Sequence, residues 1–200
     1  MRPTKIAIVL FFSAWSVPAF SDDCRDRFNA HMTARIENPR QGVSRIISES
    51  KGGKPTEGRF TCLARDHYMS QPLKPEKGMW ALRWKNTRYM SYDGKTWKRA
   101  GAVDDAAEKR EAIRVLTAQR DTATNLVCGE DTIDGVKHVT FEFDYASPPP
   151  SQIRTHEKDW INPKTDITTK SIMTMKGAGF EMTSTQYWKP LNGETLPKPE

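Results

Sequence analysis

The chain has few features that predict chemistry. Its 200 residues include three cysteines and four histidines, and none of these lies in a C-x-x-C or H-E-x-x-H arrangement. The G-x-S-x-G motif of serine hydrolases is also missing. Because neither metal ligands at a suitable spacing nor a nucleophile in a recognised motif is present, we expect no metal site, no cofactor and no enzymatic activity.

Long hydrophobic runs are scarce as well. The only one, Ile6–Trp15, is about half as long as the roughly 20 residues of a membrane-spanning helix. Arg2 and Lys5 precede it, and the small residues Ala19 and Ser21 follow at the positions that a signal peptidase requires. This layout is typical of a secretory signal peptide that is cleaved after Ser21.

We therefore expect a signal peptide over residues 1–21, a single domain over 22–190 and a flexible tail over 191–200. The protein is expected in the periplasm. The formal net charge of the full chain is +6, and basic residues are interspersed with acidic ones rather than grouped. This distribution argues against a nucleic-acid partner and favours at most peripheral contact with a membrane.

Export permits a disulfide bond, since disulfides persist in oxidising compartments. Cys24, Cys62 and Cys128 allow one internal bond in three different pairings. The sequence does not choose among these pairings. One cysteine must in any case remain without an internal partner.

The mature chain is predicted to open with an amphipathic helix. Cys24, Phe28, Met32 and Ile36 recur at every fourth position, which places them in one apolar stripe. Pro39 ends the pattern, because proline cannot continue a helix. The stripe is therefore expected to face the protein.

A second helix is predicted in the middle of the chain. Asp105 and Glu108 fit a capping box at its start, and the helix is expected to end near Arg120. The segments around it carry strand signals, including the hairpin turns Asp93-Gly94 and Asp134-Gly135.

Together these patterns predict an α+β fold with about nine or ten strands. Strands joined by short turns pair antiparallel, and so large a sheet must twist and curl into an incomplete barrel. The N-terminal and mid-chain helices are the only segments available to cover its concave face. A cavity that they leave uncovered provides a binding site.

Three strands carry large apolar side chains at alternating positions, so that each set shares one face of its strand. We take them as candidates for lining such a cavity, and ordinary core packing is the alternative. The methionines among them suit ligands of variable shape. The candidates are Trp80, Leu82, Trp84, Phe141, Phe143, Tyr145, Met173 and Met175.

A hairpin with the sequence YMSYDGKTW spans Tyr89–Trp97, and the sequence WINPKT spans Trp160–Thr165. With the leading helix and the helical insert, these segments resemble the LolA-like superfamily of half-barrel proteins. That group includes periplasmic lipoprotein-sorting carriers, lipid-binding lipoproteins and a sensory domain of a sigma-factor regulator. Its members have an acidic residue where this chain has Asn162.

The resemblance implies an incomplete barrel that binds acyl chains or a lipidated partner without doing chemistry. In the carriers an arginine on an early strand is held by a helical lid, and Arg45 is the nearest arginine in chain order. We therefore expect a cell-envelope protein that binds a lipid or takes part in lipoprotein transport. The alternative is a sensor or a module that binds an envelope protein and has a filled core.

Overall fold

The computed structural model describes residues 20–37, 41–149, 151 and 153–199. These residues form two helices, α1 (Phe20–Glu37) and α2 (Asp105–Asp121), and eleven strands. The strands are β1 (Gly42–Ser50), β2 (Thr56–Ala64), β3 (His67–Lys74), β4 (Trp80–Trp84), β5 (Thr87–Ser91), β6 (Lys98–Ala102), β7 (Thr124–Ile133), β8 (Val136–Ala146), β9 (Arg154–Asn162), β10 (Ile167–Gly177) and β11 (Phe180–Lys189).

All eleven strands form one sheet in the order β6-β5-β4-β3-β2-β1-β11-β10-β9-β8-β7, and every neighbouring pair is antiparallel. The predicted α+β fold, an open curved antiparallel sheet with an N-terminal and a mid-chain helix, is confirmed. The additional strand is β3, in which Met69 is the only buried residue. Because β3 also contains Pro72, it shows no clear alternation in sequence.

The predicted signal peptide, 1–21, lies outside the described residues except for Phe20 and Ser21, with which α1 begins. Within the described residues, neither helix combines the length and apolar character that a membrane crossing requires. In the segment predicted as a flexible tail, the Glu194 carboxylate lies 4.0 Å from the Arg59 guanidinium. The flexibility of this segment stays a prediction.

Helix α1 is held against the sheet by its apolar stripe, as predicted. Phe28 and Met32 are fully buried, and the Phe28 ring lies 4.7 Å from that of Phe143 and 5.7 Å from that of Phe141. Burying such a side chain contributes about 1.5–3 kcal/mol. The core of the protein is therefore the contact between α1 and β8.

Helix α2 begins differently from the prediction. Its N-cap is Asp104, whose carboxylate accepts a hydrogen bond of 3.0 Å from the Ala107 amide. Asp105 and Glu108, predicted as a capping box, instead bind Arg83 of β4. Asp104 and Asp105 are adjacent and either can cap a helix, so the sequence alone did not show which of the two is the N-cap.

The disulfide joins Cys24 of α1 to Cys128 of β7, across 104 positions in the chain. Since β7 is an edge strand of the sheet, the bond ties the helix to an edge with a neighbour on one side only. Cys62 is free and buried, and burial raises the pKa of its thiol.

Replacing both Cys24 and Cys128 with serine should lower the free energy of unfolding by about 2–5 kcal/mol, because the closed loop restricts the unfolded chain. Urea unfolding measures the difference. Reduction of the wild-type protein should have the same effect, and Cys62→Ala, which retains the disulfide, should remain sensitive to reduction. A double-serine variant as stable as the wild-type protein would contradict this account.

Candidate functional site

The strand register divides the sheet into two faces. Residues directly opposite each other on antiparallel strands have their side chains on the same side. Because Phe28 of α1 contacts Phe141 and Phe143, we call the side that carries these two residues the inner face. The register extends the inner face through the sheet to Tyr145, Glu157, Asp159, Ser171, Met173, Met175, Met182, Ser184, Gln186, Ile46, Phe60, Tyr68 and Arg83.

The predicted lining residues are split between the two faces. Trp80, Leu82 and Trp84 alternate with Arg83 on β4, so they lie on the outer face, away from the helices. Leu82 is buried there, and the Trp84 ring packs edge-on against His67 at 4.2 Å. Alternation in a sequence shows which residues share a face, but not which of the two faces they occupy.

The three aromatic residues of β8 are on the inner face, where they belong to the core under α1. Phe141, Phe143 and Tyr145 are all buried. Burial, together with the carboxylate of Glu157, raises the pKa of the Tyr145 hydroxyl far above its usual range. These residues therefore belong to the core, and Tyr145 also lines a cavity of about 660 Å³ together with Thr155 and Thr174. A ligand-binding role for the three aromatic residues stays a prediction.

Beyond α1 the inner face is less completely covered. Met173 and Met175 of β10 are half-buried, as are Met182, Ile46 and Phe60 on the next strands. We call the strip of inner face formed by these five residues the groove. Its apolar side chains lie among the polar side chains of Ser48, Ser184 and Gln186.

Helix α2 runs from β4 towards β8 on the inner side of the sheet. Near its start Asp105 binds Arg83 of β4, and near its end Leu116 packs against the core that contains Phe141 of β8. Strands β4 and β8 are seven positions apart in the sheet, a path of about 34 Å. The 17 residues of α2 span only about 25 Å. The helix can reach from β4 to β8 only because the sheet curves, so it forms a straight bridge, here called the chord, between two points of the curved sheet.

This chord is not packed down on the sheet. None of the residues of α2 is buried, although the helix is anchored near both ends. A helix that filled the concave side would bury a stripe of its own side chains. Helix α2 therefore does not fill the concave side of the sheet with side chains of its own.

The N-terminal end of α2 is anchored by a buried cation. Arg83 is 1% exposed and donates hydrogen bonds to the carboxylates of Asp105 and Glu108 and to the Lys85 carbonyl oxygen. We call these three side chains, Arg83, Asp105 and Glu108, the Arg83 cluster. Arg88 of β5, also on the inner face, adds a second hydrogen bond to Glu108.

Arg45, the nearest match in chain order to the arginine of the carriers, does not contact a helix in the described part of the chain. Arg45 lies on the outer face and makes two hydrogen bonds, of 2.7 and 3.0 Å, to Glu57. Arg83 was missed because chain order favoured an earlier arginine. Its alternation with Trp80, Leu82 and Trp84 places it on the face opposite to theirs, but only the strand order and register show that this is the inner face.

A second buried cluster holds the end of α1. Arg35 lies 3.2 Å from Asp159 and 3.7 Å from Glu157, both on β9 and both buried. Burial opposes the charge of Arg35, but the two carboxylates outweigh burial and raise the pKa of the guanidinium. Beside this cluster is a cavity of about 670 Å³, lined partly by His31, Ile167 and Trp188.

These features define an open antiparallel half-barrel, filled on one side by α1 and spanned on the other by α2. Among the described residues, no group of three or more histidine, cysteine, aspartate or glutamate side chains is placed to hold a metal ion. The geometry is that of a scaffold with an apolar groove.

Several solved structures have a similar arrangement. The MucA/MucB complex from Pseudomonas aeruginosa matches at 16% identity with a TM-score of 0.48, covering 88% of this chain and 59% of that chain. A structure of MucB matches at 16% identity and a TM-score of 0.42, covering 89% and 61%. The chain thus spans about three fifths of the length of those MucB chains.

A LolA superfamily protein from Nitrosomonas europaea also matches, at 9% identity with a TM-score of 0.35, covering 86% of this chain and 94% of that chain. No protein-family model matches the sequence, and no curated protein matches it. The similarity to the solved structures concerns overall arrangement only. Function is therefore derived from the residues of this chain.

Replacing Arg83 with methionine should loosen the N-terminal half of α2. A hydrogen bond to a charged group contributes about 1.5–3 kcal/mol, so amide hydrogen exchange over 105–113 should become roughly 10- to 100-fold faster. Exchange in α1 should change little, because its own contacts remain. Hydrogen-exchange mass spectrometry measures both helices in one experiment.

The matched control is Arg45→Met, which removes an arginine–glutamate pair that holds no helix. It should leave α2 exchange unchanged. Equal exchange of α2 in the Arg83→Met and wild-type proteins would show that the Arg83 cluster does not anchor the helix.

Proposed function

We propose that the protein is a non-enzymatic periplasmic binding protein whose groove holds a lipid, an acyl chain or a lipidated partner. The observation that carries this proposal is the position of α2, which spans the inner face without burying any of its residues. A periplasmic location is supported by the disulfide between Cys24 and Cys128, which suits an oxidising compartment.

Burial of apolar surface supplies the binding energy in this proposal. Each buried CH₂ contributes about 0.8 kcal/mol, so a C16 chain would contribute on the order of 10 kcal/mol before the costs of ordering. Three of the five residues that define the groove are methionines, whose flexible thioether side chains adapt to ligands of different shape. Selectivity for one particular acyl chain should therefore be loose.

The Arg83 cluster gives the groove a means of opening. Asp105 and Glu108 remain partly exposed to solvent, whereas Arg83 is 1% exposed. Release of α2 must therefore also expose the Arg83 guanidinium to water, so that no charge stays buried without a partner. Release of the N-terminal end of α2 would uncover the groove while α1 and the core stay in place. Ligand uptake is thereby coupled to the position of one helix.

Native mass spectrometry of the protein, recovered from the periplasm without detergent, tests the proposal directly. We expect additional mass that disappears on solvent extraction and corresponds to a phospholipid or an acylated peptide. Bare polypeptide mass, together with no binding of the apolar fluorescent probe N-phenyl-1-naphthylamine, would contradict a lipid-binding function.

The variant Met175→Glu places a charge in the groove and should weaken probe binding at least about tenfold, because a carboxylate is costly to bury. Val127→Glu is the matched control, since Val127 is 60% exposed and lies on the outer face of β7. A second control, Trp84→Phe, changes the outer face of β4. Weaker binding in Trp84→Phe but not in Met175→Glu would move the site to the outer face.

A protein partner is the alternative, and the edge strand β7 favours it. Its ten residues have a hydrogen-bonded neighbour only on the β8 side, so its other edge can accept an added strand. Affinity purification from envelope extract should then return one stoichiometric protein. Proline substitution of the exposed Val127 should abolish that association if the partner binds by strand addition.

A further inference from the structure

The two ends of the sheet differ in charge and in exposed apolar surface. In an antiparallel sheet, successive turns alternate between the two ends. The register places five strand connections at the end where Ser50 is opposite Met182: β1–β2, β3–β4, β5–β6, β8–β9 and β10–β11. We call these five connections, with the strand residues that flank them, the basic rim.

The basic rim carries a strong excess of positive charge. Its connections, 50–56, 74–80, 91–98, 146–154 and 177–180, contain seven basic and two acidic residues. The four strand connections at the opposite end, 64–67, 84–87, 133–136 and 162–167, contain three of each. The basic residues of the five connections are Lys51, Lys54, Lys74, Lys77, Lys95, Lys98 and Arg154. Lys51 and Lys74 pair with Glu181 and Glu57 on the flanking strands, and the other five retain the positive excess.

Large apolar side chains are exposed at the same end. Tyr92 is 77% exposed, Met79 51% and Phe180 44%, and each lies in a different connection of the basic rim. Among the described residues, Lys77 and Lys95 form no ion pair, so their charges are available beside these apolar groups. Tyrosine is well suited to a membrane–water interface, because its ring is apolar and its hydroxyl is polar.

The turn that carries Tyr92 is rigid. The Asp93 carboxylate accepts hydrogen bonds from the amides of Thr96 and Lys95 and from the Ser91 hydroxyl, and these bonds lower the pKa of Asp93 well below its usual range. Gly94 packs against the Trp80 ring, so closely that a Cβ there would lie 3.0 Å from it. The turn thus holds Tyr92 outward with little loss of freedom on binding.

We propose that the basic rim docks on an anionic phospholipid surface. The lysines supply attraction to the lipid headgroups, and Tyr92, Met79 and Phe180 enter the interfacial layer. Met175 and Met182 of the groove lie next to the connection 177–180, so docking places one end of the groove against the membrane. The rim does not require the groove to hold a lipid, and either proposal can fail alone.

Flotation with vesicles tests this docking. The protein, as recovered from expressing cells, is mixed at low salt with vesicles of 70% phosphatidylcholine and 30% phosphatidylglycerol, or of phosphatidylcholine alone. We expect binding to the anionic vesicles only, weakened by added salt. No binding to the anionic vesicles, or equal binding to both, would overturn the proposal.

Two variants with the same change in net charge locate the surface. Lys77→Glu with Lys95→Glu changes the basic rim, and should weaken binding about 30-fold or more, because each lysine contributes about fivefold at such a surface. Lys85→Glu with Lys164→Glu makes the same change at the opposite end and should have little effect. Equal loss in both double variants would show attraction by net charge alone and overturn the assignment to the rim.

The apolar part of the rim is tested by Tyr92→Ser, for which Val136→Ser at the opposite end is the control. Tyr92→Ser should reduce binding several-fold even where the lysines are intact, and it should leave the melting temperature unchanged because Tyr92 is exposed. Unchanged binding in Tyr92→Ser would remove the apolar contact from the proposal and contradict its interfacial docking.

Discussion

The length of α2 constrains the rest of this structure. A straight helix of 17 residues that is anchored on β4 and again near β8 cannot follow seven strand positions of a flat sheet. The sheet must therefore curve until the chord fits, and the curvature leaves space below the helix. The Arg83 cluster holds the start of α2 on the sheet, and Leu116 packs against a core to which both α1 and the sheet contribute, so these two contacts jointly hold α2 over the inner face.

The two helices use the same concave face in different ways. Helix α1 buries Phe28 and Met32, and is further held by the disulfide and by the Arg35 pairs with β9. Helix α2 buries none of its residues and depends at its start on charge. Stability is thus concentrated at one side of the half-barrel. We therefore expect the α2 side to open locally at a fraction of the cost of global unfolding, as binding elements generally do.

The sequence was sufficient to predict individual helices, strands and turns, but not which of them contact each other or which face of the sheet a strand presents to the helices. The stripe of α1 and the hairpin turns predicted elements that the structure confirms, because 3.6- and 2-residue periodicities are local. The face of β4 was not predictable, since reversing a strand's face preserves its alternation. The two disulfide cysteines are 104 positions apart, and Arg83 is 22 to 25 positions from its carboxylate partners. Both contacts therefore became visible only once the topology was known.

The charge of the chain shows the same dependence on topology. Lys54, Lys77 and Lys95 are about 20 positions apart, so along the sequence they read as scattered charges without a common surface. Two strands separate each from the next, and two strands return an antiparallel chain to the same end of the sheet. Lys54, Lys77 and Lys95 therefore all lie on the basic rim, together with Met79 and Tyr92. In an antiparallel half-barrel, charges that look scattered along the sequence can share one end of the sheet. The charge of every second connection therefore has to be compared before an anionic partner is excluded.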